Sequence, residues 1–225
     1  MKPIQSCLMA LALAASTRVA SAEIITEPTR TFTVNMTIND PADPPSLFLQ
    51  TISDSAILSL TRVEVGLRLA GTPADNGFAS DMFVSLNQDF GPTSILLNRV
   101  GMSGSNPVGF FYDGWNVTFR DGAPNGDIHL FDPGTGVLTG TYEPDGRISP
   151  LDTLRTGLLD VFNNRAGNGD WRLAIGDLSE SGQMQLIEWS LTLHGETVVP
   201  EPSGLSLMIL AALAWSRKRF FAGLR

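Results

Sequence analysis

Only two imidazoles, His129 and His194, are available for proton transfer in this chain. A Ser-His-Asp triad needs a histidine set between a carboxylate and a nucleophilic serine. His129 follows a turn-rich loop, His194 ends an alternating segment, and no serine sits in a Gly-x-Ser-x-Gly turn or a comparable one. Both histidines therefore read as ordinary surface or partly packed residues, and no catalytic residue is assigned. The sole cysteine, Cys7, lies in an N-terminal segment expected to be removed, which leaves no thiol nucleophile and no disulfide. Paired carboxylates suit glycoside hydrolysis, but nothing marks one pair among the 23 acids.

Two binding chemistries are better supported than catalysis. Asp121, Asn125 and Asp127 place side-chain oxygens close together in one loop, and a hard cation such as calcium takes several oxygens. The neighbouring Gly122 and Gly126 give the competing explanation, because Asp-Gly and Asn-Gly form turns for conformational reasons alone. There is no EF-hand loop and no nonapeptide calcium repeat, so turns are the stronger reading. Phe110, Phe111, Tyr112 and Trp115 cluster around Gly109 and Gly114, where exposed rings would stack on the apolar faces of sugars. Trp115 alternates with Val117 and Phe119, which assigns it to the core. Tyr112 is left as the candidate ligand residue. Trp171 and Trp189 are core residues by the same alternation.

Composition narrows the partners. The chain has 225 residues, 43% of them hydrophobic and 17% charged, enough apolar material for one ordinary domain with short appendages. The stretch from Glu23 to Val199 holds 22 of the 23 acids and nine of the fifteen basic residues, all arginine, for a net charge near −13. Such a field repels phosphates and excludes nucleic acid as a partner. It suits cation binding or simple solubility.

The two ends carry their own chemistry. Lys2, an apolar run from Cys7 to Ala15, and Ala20-Ser21-Ala22 follow the order of a secretory signal, with cleavage predicted after Ala22. Val199-Pro200-Glu201-Pro202 precedes an apolar run from Leu205 to Trp215 and the basic Arg217-Lys218-Arg219. The run is shorter than the roughly 20 residues of a full membrane span, and the basic cluster would hold its end on the cytoplasmic side. These residues closely resemble the PEP-CTERM sorting signal of Gram-negative, often biofilm-forming bacteria. Phe220 to Arg225 continue past the basic cluster, a slight departure from that pattern. The resemblance implies export by way of signal peptidase, transient retention in the inner membrane by a short transmembrane segment, removal of the tail by an exosortase, and delivery to the cell surface or the exopolysaccharide matrix.

Between the ends the chain reads as short strands and turns. Phe32, Val34, Met36 and Ile38 share one face, as do Val63, Val65, Leu67 and Leu69. Met82–Leu86, Ile95–Leu97 and Trp115–Phe119 follow as strands. Trp171, Leu173 and Ile175 alternate inward, then Ile187, Trp189, Leu191 and Leu193. One short helix is predicted, capped by Ser149 with Pro150 at its first position, and with Leu151, Leu154, Leu158 and Phe162 on one face. No internal repeat is present. The pattern predicts an all-β, jelly-roll-like antiparallel β-sandwich over 23–198, between a signal peptide at 1–22 and the sorting tail at 199–225.

Asn168-Gly169-Asp170-Trp171-Arg172-Leu173-Ala174-Ile175-Gly176-Asp177, with Gly182 and Glu188-Trp189-Ser190-Leu191-Thr192-Leu193, resembles the end of a P/Homo B domain. That is the sandwich which follows the catalytic domain in proprotein convertases and many bacterial subtilisin-like proteases. Val63-Glu64-Val65, Ser80-Asp81-Met82, the segment from Phe111 to Ala123, and Pro144-Asp145-Gly146 fit its earlier parts, with Met82 where the family has leucine. The likeness covers about residues 58–195. It implies a non-catalytic domain that stabilises a serine endopeptidase. Because some members bind calcium, it also adds Asp81 and Asp177 to Asp121, Asn125 and Asp127 as cation ligands. The expected role is a structural or interaction module that meets exopolysaccharide or a surface protein. The alternatives are a calcium-dependent or carbohydrate-binding module, or an accessory domain of a subtilisin-like protease.

Overall fold

The computed structural model describes residues 21–38, 44–72, 77–180 and 182–199. They form an all-β sandwich. One sheet contains β1 (Ser21–Thr26), β2 (Arg30–Thr37), β4 (Ser59–Gly71), β7 (Gly114–Phe119), β8 (Val137–Tyr142) and β10 (Met184–Val199). Its order is β1-β10-β4-β7-β8, with β2 also paired to β10. The second sheet contains β3 (Ser46–Ile52), β5 (Met82–Gln88), β6 (Thr93–Asn98) and β9 (Gly169–Asp177), in the order β3-β9-β5-β6. The chain divides into two compact units, the sandwich at Glu23–Thr197 and a second unit of residues 1–22 and 198–225. Ala20, the Pro200-Glu201-Pro202 element, the apolar run and Arg217-Lys218-Arg219 lie outside the described residues, whereas Ala22 stands on β1. Among the described residues no helix is long and apolar enough to cross a membrane.

The period-two pattern places the core. On β4 the side chains of Val63, Val65, Leu67 and Leu69 are buried, and opposite them on β10 lie Leu193, Leu191, Trp189 and Leu186; Ile187, expected inward, falls at a register shift between Leu186 and Glu188, and Leu186 takes the core place. Burying each of the aliphatic side chains contributes about 1.5–3 kcal/mol. Trp115, Trp171, Trp189, Phe119 and Phe162 fill the interior, and Trp189 packs its ring on Phe32 at 4.7 Å.

Three features differ from expectation. β1, β3 and β8 form where the residues gave no clear alternation signal. β7 and β8 run parallel, Trp115 opposite Leu138 and Phe119 opposite Tyr142, in an otherwise antiparallel sandwich. The predicted helix after Ser149 is replaced by an irregular segment ending in a single 3-10 turn, Leu159–Phe162. Its backbone is used elsewhere. Asp145 donates its N–H to Leu96, Gly146 to Ile95, and Ile95 to Gly157, so the segment caps the free edge of β6. That pairing satisfies an edge that would otherwise be open. Within the predicted helix only Gly157 gives its carbonyl to β6, while Thr156 and Gly157 donate to the Gly146 carbonyl, and Leu151 and Leu154 are left exposed.

Candidate functional site

The parallel pairing decides which loops meet. Because β7 and β8 run the same way, the segments after Phe119 and after Tyr142 leave from one end of the sheet, and Asp127 continues the pairing in a bridge with Glu143. The first segment holds a 3-10 turn, Ile128–Leu130, whose preceding Asp127 accepts the N–H of His129. The second holds Glu143, Asp145 and Arg147.

These residues form a closed network. His129 is 3% exposed and Asp145 is 0% exposed. The Nδ1 of His129 lies 2.6 Å from Asp145 Oδ2, and its Nε2 lies 2.9 Å from the Met102 carbonyl. A carboxylate and a carbonyl can only accept, so the two contacts are both satisfied when His129 is the doubly donating imidazolium. Burial pulls its pKa down, but the hydrogen bond and charge of Asp145 outweigh that and raise it. Asp145 also accepts from the backbone N–H of Asn98 and from the N–H and guanidinium of Arg147. Arg147 reaches Asp127 at 2.7 Å, and Arg155 reaches Glu143 at 2.7 Å. Three cations face three carboxylates, so the charge closes on itself. A doubly donating imidazolium has no lone pair for a proton or a metal, which suits a positioning role.

His129 is thus a buried ion-pair member, which corrects its reading as a surface or partly packed residue. A groove of about 400 Å³ opens above it between Met102, Leu130, Arg147 and Leu151. Sequence reasoning passes over Arg147 and Arg155 and meets Asp145 only within Pro144-Asp145-Gly146. A usable hint was that every cation of the body is arginine, whose planar fork suits buried carboxylate pairs.

His194 stands in the opposite condition. Its Nδ1 lies 2.7 Å from the Thr26 hydroxyl and 3.0 Å from the Arg62 guanidinium, which also lies 3.3 Å from Nε2, and Glu64 stands 3.5 Å from Nε2. Burial and then the Arg62 charge lower its pKa. The two histidines therefore oppose each other in pH dependence. The raised value of His129 contributes stability below the unfolded pKa, about 6.5, which is lost as pH rises through its folded value. The lowered value of His194 contributes stability above that point, which is lost as pH falls through its folded value. Imidazole proton NMR should give one titration midpoint on each side of about 6.5. Both midpoints on one side would contradict the assigned hydrogen-bond roles.

The sequence candidates for metal binding fall in two places. Asp81 and Asp177 are buried neighbours at one end of the β5–β9 ladder, where Met82 faces Asp177 and Leu178 donates its N–H to the Asp81 carbonyl. Asp121 and Asp127 lie in the loop after β7. Asp121 accepts the N–H of Leu159, and burial raises its pKa. Asp127 belongs to the arginine network. Asn125 lies in the same loop, where its amide crowds the space a side chain at Gly140 would need. Among the described residues no group of three or more His, Cys, Asp or Glu is placed to hold a metal ion. Tyr112 is 2% exposed and packs edge-on against Trp115 at 5.3 Å, so it belongs to the core; the exposed ring of that segment is Phe111. Burial raises the Tyr112 hydroxyl pKa far above its ordinary value.

No protein-family model matches the chain, and no curated protein does. The solved structures that resemble it include the serine protease of Aeromonas sobria (17% identity, TM-score 0.44) and the complex of that protease with its chaperone (16%, 0.45). Each likeness covers 77% of this chain and 27% of the other, so the chain spans about a quarter of the length of the structures it matches.

Proposed function

We propose that this chain is an exported, non-catalytic P-domain-like sandwich that serves as a structural or interaction module at the cell surface or in the exopolysaccharide matrix. The observation carrying the non-catalytic part is the occupation of both nitrogens of His129 by Asp145 and the Met102 carbonyl. The buried histidine that resembles half of a triad is committed to holding two loops together. His194 is likewise tied to Thr26 and Arg62. The sorting part rests on Pro200-Glu201-Pro202, the apolar run and Arg217-Lys218-Arg219 in that order.

Replacing Pro200-Glu201-Pro202 with three alanines should leave the chain uncleaved and in the membrane fraction, while the parent chain loses its tail and leaves that fraction. Immunoblots of fractionated cells read both. Identical processing of the two chains would sink the sorting reading.

A further inference from the structure

The outward face of the six-stranded sheet contains a trench that crosses its strands. Its floor is one cross-strand row. Thr31 on β2 pairs with Ser190 on β10, Ser190 with Gly66 on β4, Gly66 with Thr118 on β7, and Thr118 with Thr141 on β8. Hydroxyls therefore stand on four of five adjacent strands, and the central strand carries glycine. A side chain at Gly66 would run into the Ser190 hydroxyl, so the glycine keeps the middle of the floor open. The wall beside it is the next outward row, in which Glu188 on β10 pairs with Arg68 and Arg68 with Asn116. The depression between these rows has a volume of about 150 Å³. The depression is lined from four of these strands, β2, β10, β4 and β7, which at about 4.8 Å apart give a length of roughly 14 Å, enough to seat a short stretch of a sugar chain.

The wall is chemically available. Of the nine arginines between Glu23 and Val199, Arg68 alone makes no ion pair or side-chain hydrogen bond among the described residues, and it is exposed. Glu188 and Asn116 flank it and are also unengaged there. A free guanidinium, carboxylate and amide above a row of hydroxyls offer donors and acceptors in alternation, which is what a polyol requires. The body's charge near −13 disfavours a polyanion.

We propose that this trench binds a linear, neutral polysaccharide chain laid across the strands. The proposal rests on the interaction-module reading and gives that module a ligand class. The contacts are hydrogen bonds from Arg68, Asn116 and Glu188 to sugar hydroxyls, with the chain seated over Gly66. The site differs in place and chemistry from the aromatic cluster around Tyr112.

Native electrophoresis of the full chain through gels containing hydroxyethylcellulose, soluble starch or polygalacturonate tests it. Retardation by at least one of the two neutral glucans, and not by polygalacturonate, is expected. Gly66→Thr should reduce that retardation at least fivefold, and Arg68→Ala/Asn116→Ala should do the same. The exposed pair lies outside the core, so Arg68→Ala/Asn116→Ala should keep the parent unfolding midpoint, whereas Gly66→Thr must turn the Ser190 hydroxyl aside and is read with its own midpoint measured alongside. No retardation by either neutral glucan, equal retardation by polygalacturonate, or full retardation of both variants would each overturn the proposal. Retardation accompanied by release of reducing ends would support the trench and overturn the non-catalytic reading.

Discussion

Asp145→Ala should destabilise the sandwich by about 3–5 kcal/mol, because it leaves buried cations without their partner. Asp145 is wholly inaccessible and accepts hydrogen bonds from His129, Asn98 and Arg147. Its removal turns a balance of three cations and three carboxylates into a net positive interior. A domain of this kind has only about 5–15 kcal/mol in total, so the variant should unfold at a much lower urea concentration. Asp145→Asn tests the charge separately, since the amide keeps the shape and loses the ion pair. With His129→Gln added, the two losses should fall short of additivity by about 0.5–3 kcal/mol, the range for residues in direct contact. An Asp145→Ala midpoint within error of the parent would mean the network contributes nothing to the fold.

This network also marks the limit of what the residues disclosed. The sandwich was legible because burial writes itself as alternation: Val63, Val65, Leu67 and Leu69 on one strand, Trp189, Leu191 and Leu193 on another. The same alternation sends the residues between them outward, as Arg68, Glu188 and Ser190 are. The meeting of His129 with Asp145 was hidden, because it depends on a parallel pairing between β7 and β8 that local patterning does not encode. Alternation reports which face a residue takes, not which strand lies beside it. The predicted helix failed for a related reason. Ser149, Pro150 and the leucines at 151, 154 and 158 satisfy local helix rules, yet the chain on either side of them is drawn to the open edge of β6 through Asp145, Gly146 and Gly157. Tyr112 illustrates the same gap from the other side. The ring cluster around Gly109 and Gly114 is compatible with exposed stacking, but Gly114 begins β7, and the tyrosine turns inward onto Trp115.

The second large effect concerns Trp171. It lies on β9, between β3 and β5, with its ring against Phe162 at 5.1 Å and its indole N–H donated to the Gly167 carbonyl at 3.2 Å. Gly167 is itself pressed against Ser55 and Ile57, where an added Cβ would have no room. Trp171→Ala should therefore cost about 3–5 kcal/mol and loosen the turn that leads into β9. The phenylalanine variants separate packing from hydrogen bonding. Trp171→Phe keeps most of the ring area but strands a buried carbonyl, a loss of about 1–3 kcal/mol. Trp189 is equally buried, but its indole N–H has no hydrogen-bond partner among the described residues. Trp189→Phe removes a donor that was already unsatisfied, so it should cost less than Trp171→Phe. Urea unfolding of the two variants side by side decides this. If Trp189→Phe proved the more damaging, packing volume rather than the Gly167 hydrogen bond would govern this part of the core.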